Sequence, residues 1–84
     1  MNSKVLVRMD VPTIYKSFEV LIPRHLSVKE ILPLIIKAVS ELSEGIYVTS
    51  NHEFLCCIDQ NTLLDEDARL EDYGIQNGDH LLLL

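Results

Sequence analysis

Acidic side chains near the C-terminus are the residues of this sequence most able to do chemistry. The carboxylates that cluster between positions 65 and 79 are Asp65, Glu66, Asp67, Glu71, Asp72 and Asp79. Carboxylate oxygens suit Ca²⁺, but their spacing lacks the ligand order of an EF-hand loop. Runs of charge lie more often in solvated turns than at metal sites. We therefore expect these groups to be hydrated, and we predict no metal site.

Cysteine, histidine and serine offer no clearer chemistry. Cys56 and Cys57 are adjacent, and neighbours on a strand point to opposite faces, so a disulfide between them would need unusual geometry. The simpler interpretation is that both cysteines are small strand residues whose thiols stay reduced. The histidines at positions 25, 52 and 80 lack ligand spacing. Ser27 fits a helix cap, and the sequence has no glycine-rich phosphate loop. We predict no cofactor and no enzyme activity.

Charge and length narrow the class of protein. The 84 residues suit one domain, 1–84, and 48% hydrophobic against 24% charged residues indicates a chain that folds. The net charge of −6 argues against nucleic acid or an anionic membrane surface as partner. Lys4, Arg8 and Asp10 break the first apolar run, so it does not resemble a signal peptide. No stretch approaches the roughly 20 apolar residues of a membrane helix. We expect a cytoplasmic protein.

Two alternating stretches at the N-terminus predict an antiparallel hairpin. They run from Lys4 to Asp10 and from Ser17 to Ile22, with a turn that begins at Pro12. The expected inward residues are Val5, Val7, Met9, Phe18, Val20 and Ile22. The outward residues of the first strand are then Lys4, Leu6, Arg8 and Asp10.

A capping box, Ser27-Val28-Lys29-Glu30, predicts the start of a helix that ends near Leu42. Its apolar stripe consists of Val28, Ile31, Leu32, Ile35, Val39 and Leu42. Pro33 lies in the second turn, where it removes a backbone donor at a cost of ~3 kcal/mol. We expect a kink there, or a first turn that is partly 3₁₀.

The second half of the chain predicts short elements joined by turns. Positions 45–53 lack periodicity and indicate a long connection with Tyr47 or Val48 tucked beneath it. Positions 54–58 predict a strand whose inward phase stays open, because nearly every residue is apolar. Positions 62–64 predict a short return strand.

A helical corner and a closing strand follow. One helical turn is expected to stop at Gly74, which tolerates a left-handed backbone. Ile75 then points inward, and Asn77-Gly78-Asp79 supplies the positive-φ residues of a tight turn. Residues 80–84 predict the final strand.

This order of elements resembles the ubiquitin-like β-grasp family over nearly the whole chain, most strongly in the run DARLEDYGIQNGDHLLLL at residues 67–84. The resemblance implies an α+β fold, a mixed four- to five-stranded sheet packed on one α-helix. The first and last strands should pair in parallel at the sheet centre. It also implies that the Tyr73 hydroxyl hydrogen-bonds backbone in the Leu64–Asp67 loop.

Within that superfamily the chain looks most like the small YukD/EsaB-type proteins of bacterial type VII secretion loci. The residues that carry this likeness are Leu63-Leu64, Arg69-Leu70, Asp72-Tyr73, Ile75 and Gly78-Asp79, with the helix entry Pro23-Arg24-His25-Leu26-Ser27-Val28-Lys29. The resemblance implies a non-catalytic accessory or regulatory component of such a system. Ubiquitin and the sulfur carriers end in Gly-Gly, whereas this sequence ends in four leucines. We therefore do not expect conjugation, and a covalent carrier is the alternative function.

The outer face of the sheet is the expected binding site. If Leu81 and Leu83 point at the helix, the other residues of the last strand point away from it and lie beside the first strand. The predicted protein-binding residues are Leu6, Arg8, Ile58, His80, Leu82 and Leu84, with Cys57 as the alternative to Ile58 and with Lys4 on the rim. Adjacent aliphatic residues on a solvated face indicate an interaction site. The ubiquitin family binds partners through this face. The expected partner is a secretion-machinery protein or a second copy of the chain.

Overall fold

Five strands and one α-helix make up residues 3–84, the part of the chain that the computed structural model describes. The strands are β1 (Lys4–Val11), β2 (Lys16–Pro23), β3 (Leu55–Cys57), β4 (Thr62–Leu63) and β5 (His80–Leu83), and the helix is α1 (Val28–Leu42). Two 3₁₀ turns, Pro12–Ile14 and Leu70–Tyr73, complete the set. The strand order β2-β1-β5-β3-β4 makes one mixed sheet.

The parallel pairing of β1 with β5 lies at the centre of the sheet, as the sequence predicted. Met9 pairs with Leu81 there, while β2 runs antiparallel to β1 on one side and β3 antiparallel to β5 on the other. The helix covers one face. Buried residues of β1 and β2 on that face are Val5, Val7, Met9, Val11, Val20 and Ile22. The predicted hairpin is therefore confirmed with its inward phase, although Phe18 is only half-buried.

The helix begins at the predicted capping box. Ser27 Oγ accepts the N–H of Glu30 at 3.3 Å, and Glu30 Oε1 accepts the N–H of Ser27 at 3.1 Å. The buried stripe is narrower than predicted and consists of Val28, Ile31, Ile35 and Val39. Leu32 lies half-buried at its edge, and Leu42 is exposed in the last turn.

Of the two effects predicted for Pro33, the 3₁₀ first turn is absent, and the kink stays a prediction. The first turn is α-helical rather than 3₁₀, and the helix continues through Pro33 to Leu42. Pro33 is exposed, so the carbonyl of Lys29, which loses its intrahelical donor, lies on the side of the helix that water reaches.

The corner before β5 has the predicted form. The 3₁₀ turn Leu70–Tyr73 ends at Gly74, whose φ of +66° is left-handed, and Ile75 is buried. The Tyr73 hydroxyl accepts the backbone N–H of Asp65 at 2.9 Å, as the resemblance implied.

The turn into β5 differs from the prediction in one respect. Of its three residues, only Gly78 has a positive φ, at +89°. Asn77 instead uses its side chain, since Oδ1 accepts the N–H of Leu6 at 2.8 Å. The turn is thereby held against β1, next to the point where β1 and β5 begin to pair.

Removing the helix cap should weaken the fold. For Ser27→Ala we expect the free energy of unfolding to fall by about 1 kcal/mol, which corresponds to a melting temperature about 4–8 °C lower for a domain of this size. The hydrogen bond from Ser27 is also the largest of the effects that lower the pKa of Glu30. In the variant that pKa should return toward its usual value, as measured by NMR titration. Ser3→Ala, at an exposed position, is the control and should change neither quantity.

Candidate protein-binding face

The last strand turns alternate leucines to opposite faces of the sheet. Leu81 and Leu83 are fully buried against the helix side, while His80 and Leu84 are exposed and Leu82 is half-buried. The predicted phase of this strand is confirmed. Because β5 lies between β1 and β3, its outward residues have neighbours on both sides.

Pairing with β5 settles the phase of β3. Leu55 and Cys57 are buried, so Cys56 and Ile58 lie on the outer face. Cys57, the alternative to Ile58, is therefore excluded from this face. Cys56 is in register with Leu82 on one side and with Leu63 of β4 on the other.

Backbone hydrogen bonds extend the β3–β5 ladder beyond the strand ends. Phe54 and Leu84 exchange two of them, at 2.8 and 2.9 Å, and the N–H of Ile58 donates to the carbonyl of His80 at 2.9 Å. Both pairs continue the register that joins Cys56 to Leu82. Three cross-strand pairs thus follow one another on the outer face, and opposed side chains of such pairs contact each other.

These pairs assemble an apolar surface that we call the β3–β5 patch. It consists of Phe54, Cys56, Ile58, Leu63, Leu82 and Leu84. Phe54, Leu63 and Leu84 are each about half exposed or more, at 52%, 59% and 49%. Adjacent apolar side chains on the solvated face of a sheet are unusual, because that face normally carries polar residues.

The sequence prediction named only half of this patch. Ile58, Leu82 and Leu84 were expected, but Phe54, Cys56 and Leu63 were not. The uniformly apolar stretch before Asp59 gives no period from which to place Phe54 and Cys56. The pair Leu63-Leu64 likewise does not indicate which of the two leucines points inward. In the structure Leu64 is buried and Leu63 is exposed. Only the pairing of this stretch with the alternating leucines of β5, which the structure shows, fixes its phase.

Leu6 does not join the patch, contrary to the prediction. The β1–β5 register places Arg8 beside His80 and Asp10 beside Leu82, so Leu6 lies four residues from the level of Leu82. At about 3.3 Å per residue the separation along the strands is roughly 13 Å. Leu6 pairs instead with Leu21 of β2.

A polar row lies between Leu6 and the patch. It runs across the sheet from Glu19 through Arg8 to His80. The rim nearest Leu82 is mixed in charge rather than basic: Asp10 accepts the hydroxyl of Ser17 at 2.6 Å and lies 3.5 Å from the Arg8 guanidinium. Lys4, predicted as rim, is farther away still, at the start of β1.

A buried carboxylate fixes the loop that leads into the patch. Glu53 Oε2 accepts the Tyr47 hydroxyl at 2.7 Å, the Thr49 hydroxyl at 2.5 Å and the N–H of Ser50 at 3.1 Å. Tyr47 is the residue tucked beneath this loop, whereas Val48 is exposed. Since Glu53 directly precedes Phe54, the same contacts set the position of the first patch residue.

Hydrogen bonding decides the ionisation of this carboxylate. Burial by itself raises the pKa of Glu53, but the hydrogen bonds from Thr49, Tyr47 and the backbone stabilise the anion and hold that pKa below its usual value. Burial and the neighbouring carboxylate both raise the pKa of Tyr47. The pair is therefore a phenol bound to a carboxylate anion at neutral pH.

The acidic residues near the C-terminus act as turn caps. Asp65, Asp72 and Asp79 each accept a backbone N–H within their own turns, at 2.9 Å in every case. Within residues 3–84 no group of three or more histidine, cysteine or acidic side chains could hold a metal ion. Both cysteines are free thiols. No helix in this range is long and apolar enough to cross a membrane.

One helix across a mixed five-stranded sheet, with parallel first and last strands, defines a ubiquitin-like β-grasp domain. The family model described as "WXG100 protein secretion system (Wss), protein YukD" matches residues 6–83. The chain belongs to this family, which confirms the resemblance seen in the sequence. A search of curated protein sequences gives no significant match.

Solved structures show the same fold. The ubiquitin-like domain of EccD5 from Mycobacterium xenopi superposes with a TM-score of 0.80 at 20% identity, covering 99% of this chain and 94% of that one. The ubiquitin-like domain of the Mycobacterium tuberculosis type VII secretion protein ECCD1 gives 0.75 at 15% identity, covering 99% of both chains. A chain of the MycP5-free ESX-5 inner membrane complex gives 0.78 at 21% identity, with 99% of this chain matching 21% of that one.

Loss of the Glu53 charge should loosen the loop before the patch. For Glu53→Gln we expect the free energy of unfolding at pH 7 to fall by about 1–3 kcal/mol, because buried donors lose a charged acceptor. The folded-state pKa of Glu53 is lowered, so its contribution is complete above the unfolded pKa of about 4.3 and disappears as the pH falls through the folded value. The difference between wild type and variant in urea unfolding should therefore narrow as the pH falls below about 4.3, the unfolded pKa of a glutamate. Glu41→Gln, an exposed control on α1, should change the free energy of unfolding little at either pH. Equal losses of stability in both variants would contradict the role given to the Glu53 carboxylate.

Proposed function

We propose that this protein is a non-catalytic binding module of a WXG100-type secretion system, and that it docks on another component through the β3–β5 patch. The observation that carries the proposal is the patch itself, six neighbouring apolar residues on the solvated side of the sheet. Exposed apolar surface of this kind is stabilised when a partner removes it from water. Membership of the YukD family supplies the class of partner.

The secretion complex itself is the partner that we favour. A domain of the same fold lies within a longer chain of the ESX-5 inner membrane complex. Our chain would take the corresponding role as a small accessory subunit bound to such a complex. A cytoplasmic location remains a prediction from the sequence.

Each predicted site residue has a place in this proposal. Ile58, Leu82 and Leu84 supply apolar contact. Arg8 and His80 form the polar edge of the contact, since they lie in the row next to Leu82. Leu6 contacts only a partner large enough to cover the whole outer face.

Replacing two patch leucines should abolish docking. The double substitution Leu82→Ser and Leu84→Ser removes two apolar side chains of the patch, and loss of such anchors reduces affinity at least about tenfold. The measurement is co-purification of the tagged chain with the detergent-solubilised secretion complex of its own host. The control is Leu42→Ser with Ile46→Ser, two residues of the same size outside the patch, whose exposures of 52% and 58% are close to the 49% of Leu84.

The outcomes of this experiment separate cleanly. Both variants must unfold cooperatively in urea before they are compared. Retention of the complex by the control and its loss by the patch variant would support the proposal. Undiminished co-purification of the patch variant would refute it. If the purified wild type is dimeric by light scattering and the patch variant monomeric, the patch joins two copies of this chain, and docking on the complex through it is wrong.

The alternative function, a covalent carrier, remains a prediction with its own measurement. Intact-mass spectrometry of the protein from native cells would show a thiocarboxylate or an adduct if the chain were a carrier. We expect the unmodified mass.

A further inference from the structure

A groove separates the exposed side of α1 from the loop at positions 45–54. It has a volume of about 980 Å³, and we call it the α1 groove. Its helix wall extends from Lys29 to Glu41, a distance of roughly 18 Å at 1.5 Å per residue. The groove is therefore about as long as three turns of an α-helix.

Both walls of the α1 groove carry apolar side chains. Leu32, Pro33 and Ile36 line it from the helix, and Val48 and Phe54 line it from the loop. Leu32 and Ile36 are only half-buried, because they lie at the edge of the stripe that packs on the sheet. Val48 is 78% exposed, although a valine side chain is stabilised by removal from water. The groove therefore exposes apolar surface that a bound partner would cover.

The loop wall offers few free backbone groups to a bound segment. It contains no strand, and most of its N–H groups already donate within the domain. The acceptors are Ser43 Oγ for Tyr47, Glu53 Oε2 for Ser50, Thr49 Oγ1 for Asn51, Ser50 Oγ for His52 and the Leu84 carbonyl for Phe54. An extended segment needs a row of free backbone partners, whereas an α-helix satisfies its own backbone. A helix is therefore the occupant that suits this wall.

Glu53 supplies a negative charge to the groove that it lines. It is 7% exposed, and its hydrogen bonds from Tyr47, Thr49 and Ser50 all reach Oε2. The second oxygen, Oε1, receives no donor from another described residue. A carboxylate with an acceptor to spare favours a cationic donor, most of all the planar guanidinium of arginine.

The helix wall holds a second acceptor. Pro33 has no N–H, so the carbonyl of Lys29 lacks its intrahelical donor, and both residues line the groove. The lysines of this wall are offset by acids, since Lys29 lies 3.4 Å from Asp67 and Lys37 is followed one turn later by Glu41. The chain as a whole carries −6, which attracts a basic segment. These acceptors and charges favour an occupant that brings donors.

We propose that the α1 groove binds one amphipathic helix of a partner protein, which packs its apolar side on Leu32, Ile36 and Val48 and places an arginine or lysine side chain against Glu53. Recognition of a helix in a groove uses apolar anchors at spacings of three, four and seven residues. The site is distinct from the β3–β5 patch, although Phe54 borders both. A partner docked on the patch therefore has a second contact within reach.

Peptide binding followed by NMR gives the direct test. The probe is a synthetic alanine-rich peptide of about 16 residues, long enough to be helical on its own. One side carries leucines at positions i, i+3 and i+7 with an arginine at i+4, and the comparison peptide has leucine in place of the arginine. We expect saturable chemical-shift changes at the amides of Ile36, Val48 and Glu53. The amides of Leu6 and Leu21, on the outer face of the sheet, should not change.

Two β-branched residues of the loop provide a matched pair of variants. Val48→Ser removes an apolar contact of the groove, whereas Ile46→Ser changes a residue two positions away that does not line it. We expect about tenfold weaker peptide binding for Val48→Ser and wild-type binding for Ile46→Ser. Both residues are more than half exposed, at 78% and 58%, so both variants should fold.

Glu53→Gln tests the charge in the groove. It should weaken binding of the arginine peptide about tenfold and leave binding of the leucine peptide unchanged, because only the arginine peptide loses a charged partner. A general loosening of the loop would instead weaken both peptides equally. The Val48 and Ile46 variants keep the test decisive if Glu53→Gln folds poorly.

Four results would overturn this proposal. They are unchanged shifts in the groove at saturating peptide, equal weakening by Val48→Ser and Ile46→Ser, equal weakening of both peptides by Glu53→Gln, and shift changes confined to the β3–β5 patch. The double variant of Leu82 and Leu84 should bind the peptide as the wild type does, so failure at the patch and failure at the groove are distinguishable. If the wild type alone is dimeric by light scattering and Val48→Ser monomeric, the occupant is a second copy of the chain, and binding of a partner helix is wrong.

Discussion

The parallel ladder between β1 and β5 is the interaction on which the rest of the structure depends. It joins Met9 to Leu81 at the centre of the sheet, and every other strand is added outward from these two. A parallel pair needs a crossover connection, which here contains β2, α1, β3, β4 and the 3₁₀ corner. The loop that leads into the corner is held at the helix start, because Val28 and Lys29 donate their N–H groups to the carbonyls of Ala68 and Glu66.

The central position of β5 explains why the outer face is apolar. A middle strand has neighbours on both edges, so even its outward residue Leu82 is half-buried between Asp10 and Cys56. An aliphatic side chain at this position exposes less apolar surface to water than it would on an edge strand. Phe54 and Leu84 lie at the open end of the same ladder, where no third strand screens them, and they remain half exposed. The fold tolerates Leu82 without a partner, but the exposure of Phe54 and Leu84 is what a partner would relieve.

Local signals in the sequence predict the elements but not their mutual register. The alternation of apolar and polar residues predicted the hairpin with its inward residues, and the Ser27–Glu30 capping box predicted the helix start. Both patterns depend only on residues that are close in sequence. The phase of β3 and the separation of Leu6 from Leu82 depend on which residues of distant segments pair. The Asn77 side chain that holds Leu6 spans 71 positions in sequence, a contact that no window of local sequence contains. Pro33 shows a limit of the local rules as well, because, of the kink or 3₁₀ first turn that they predicted, the 3₁₀ turn is absent.

The β3–β5 patch lies at one margin of the sheet, on β3, β4 and β5, while β2 forms the other margin. Neighbouring strands are about 4.8 Å apart, so β2 lies roughly 10 Å from β5, the nearest strand of the patch. The outer face between these strands is crossed by the polar row that runs from Glu19 on β2 through Arg8 to His80 on β5. This row favours a contact confined to the patch over one continuous apolar interface across the whole outer face.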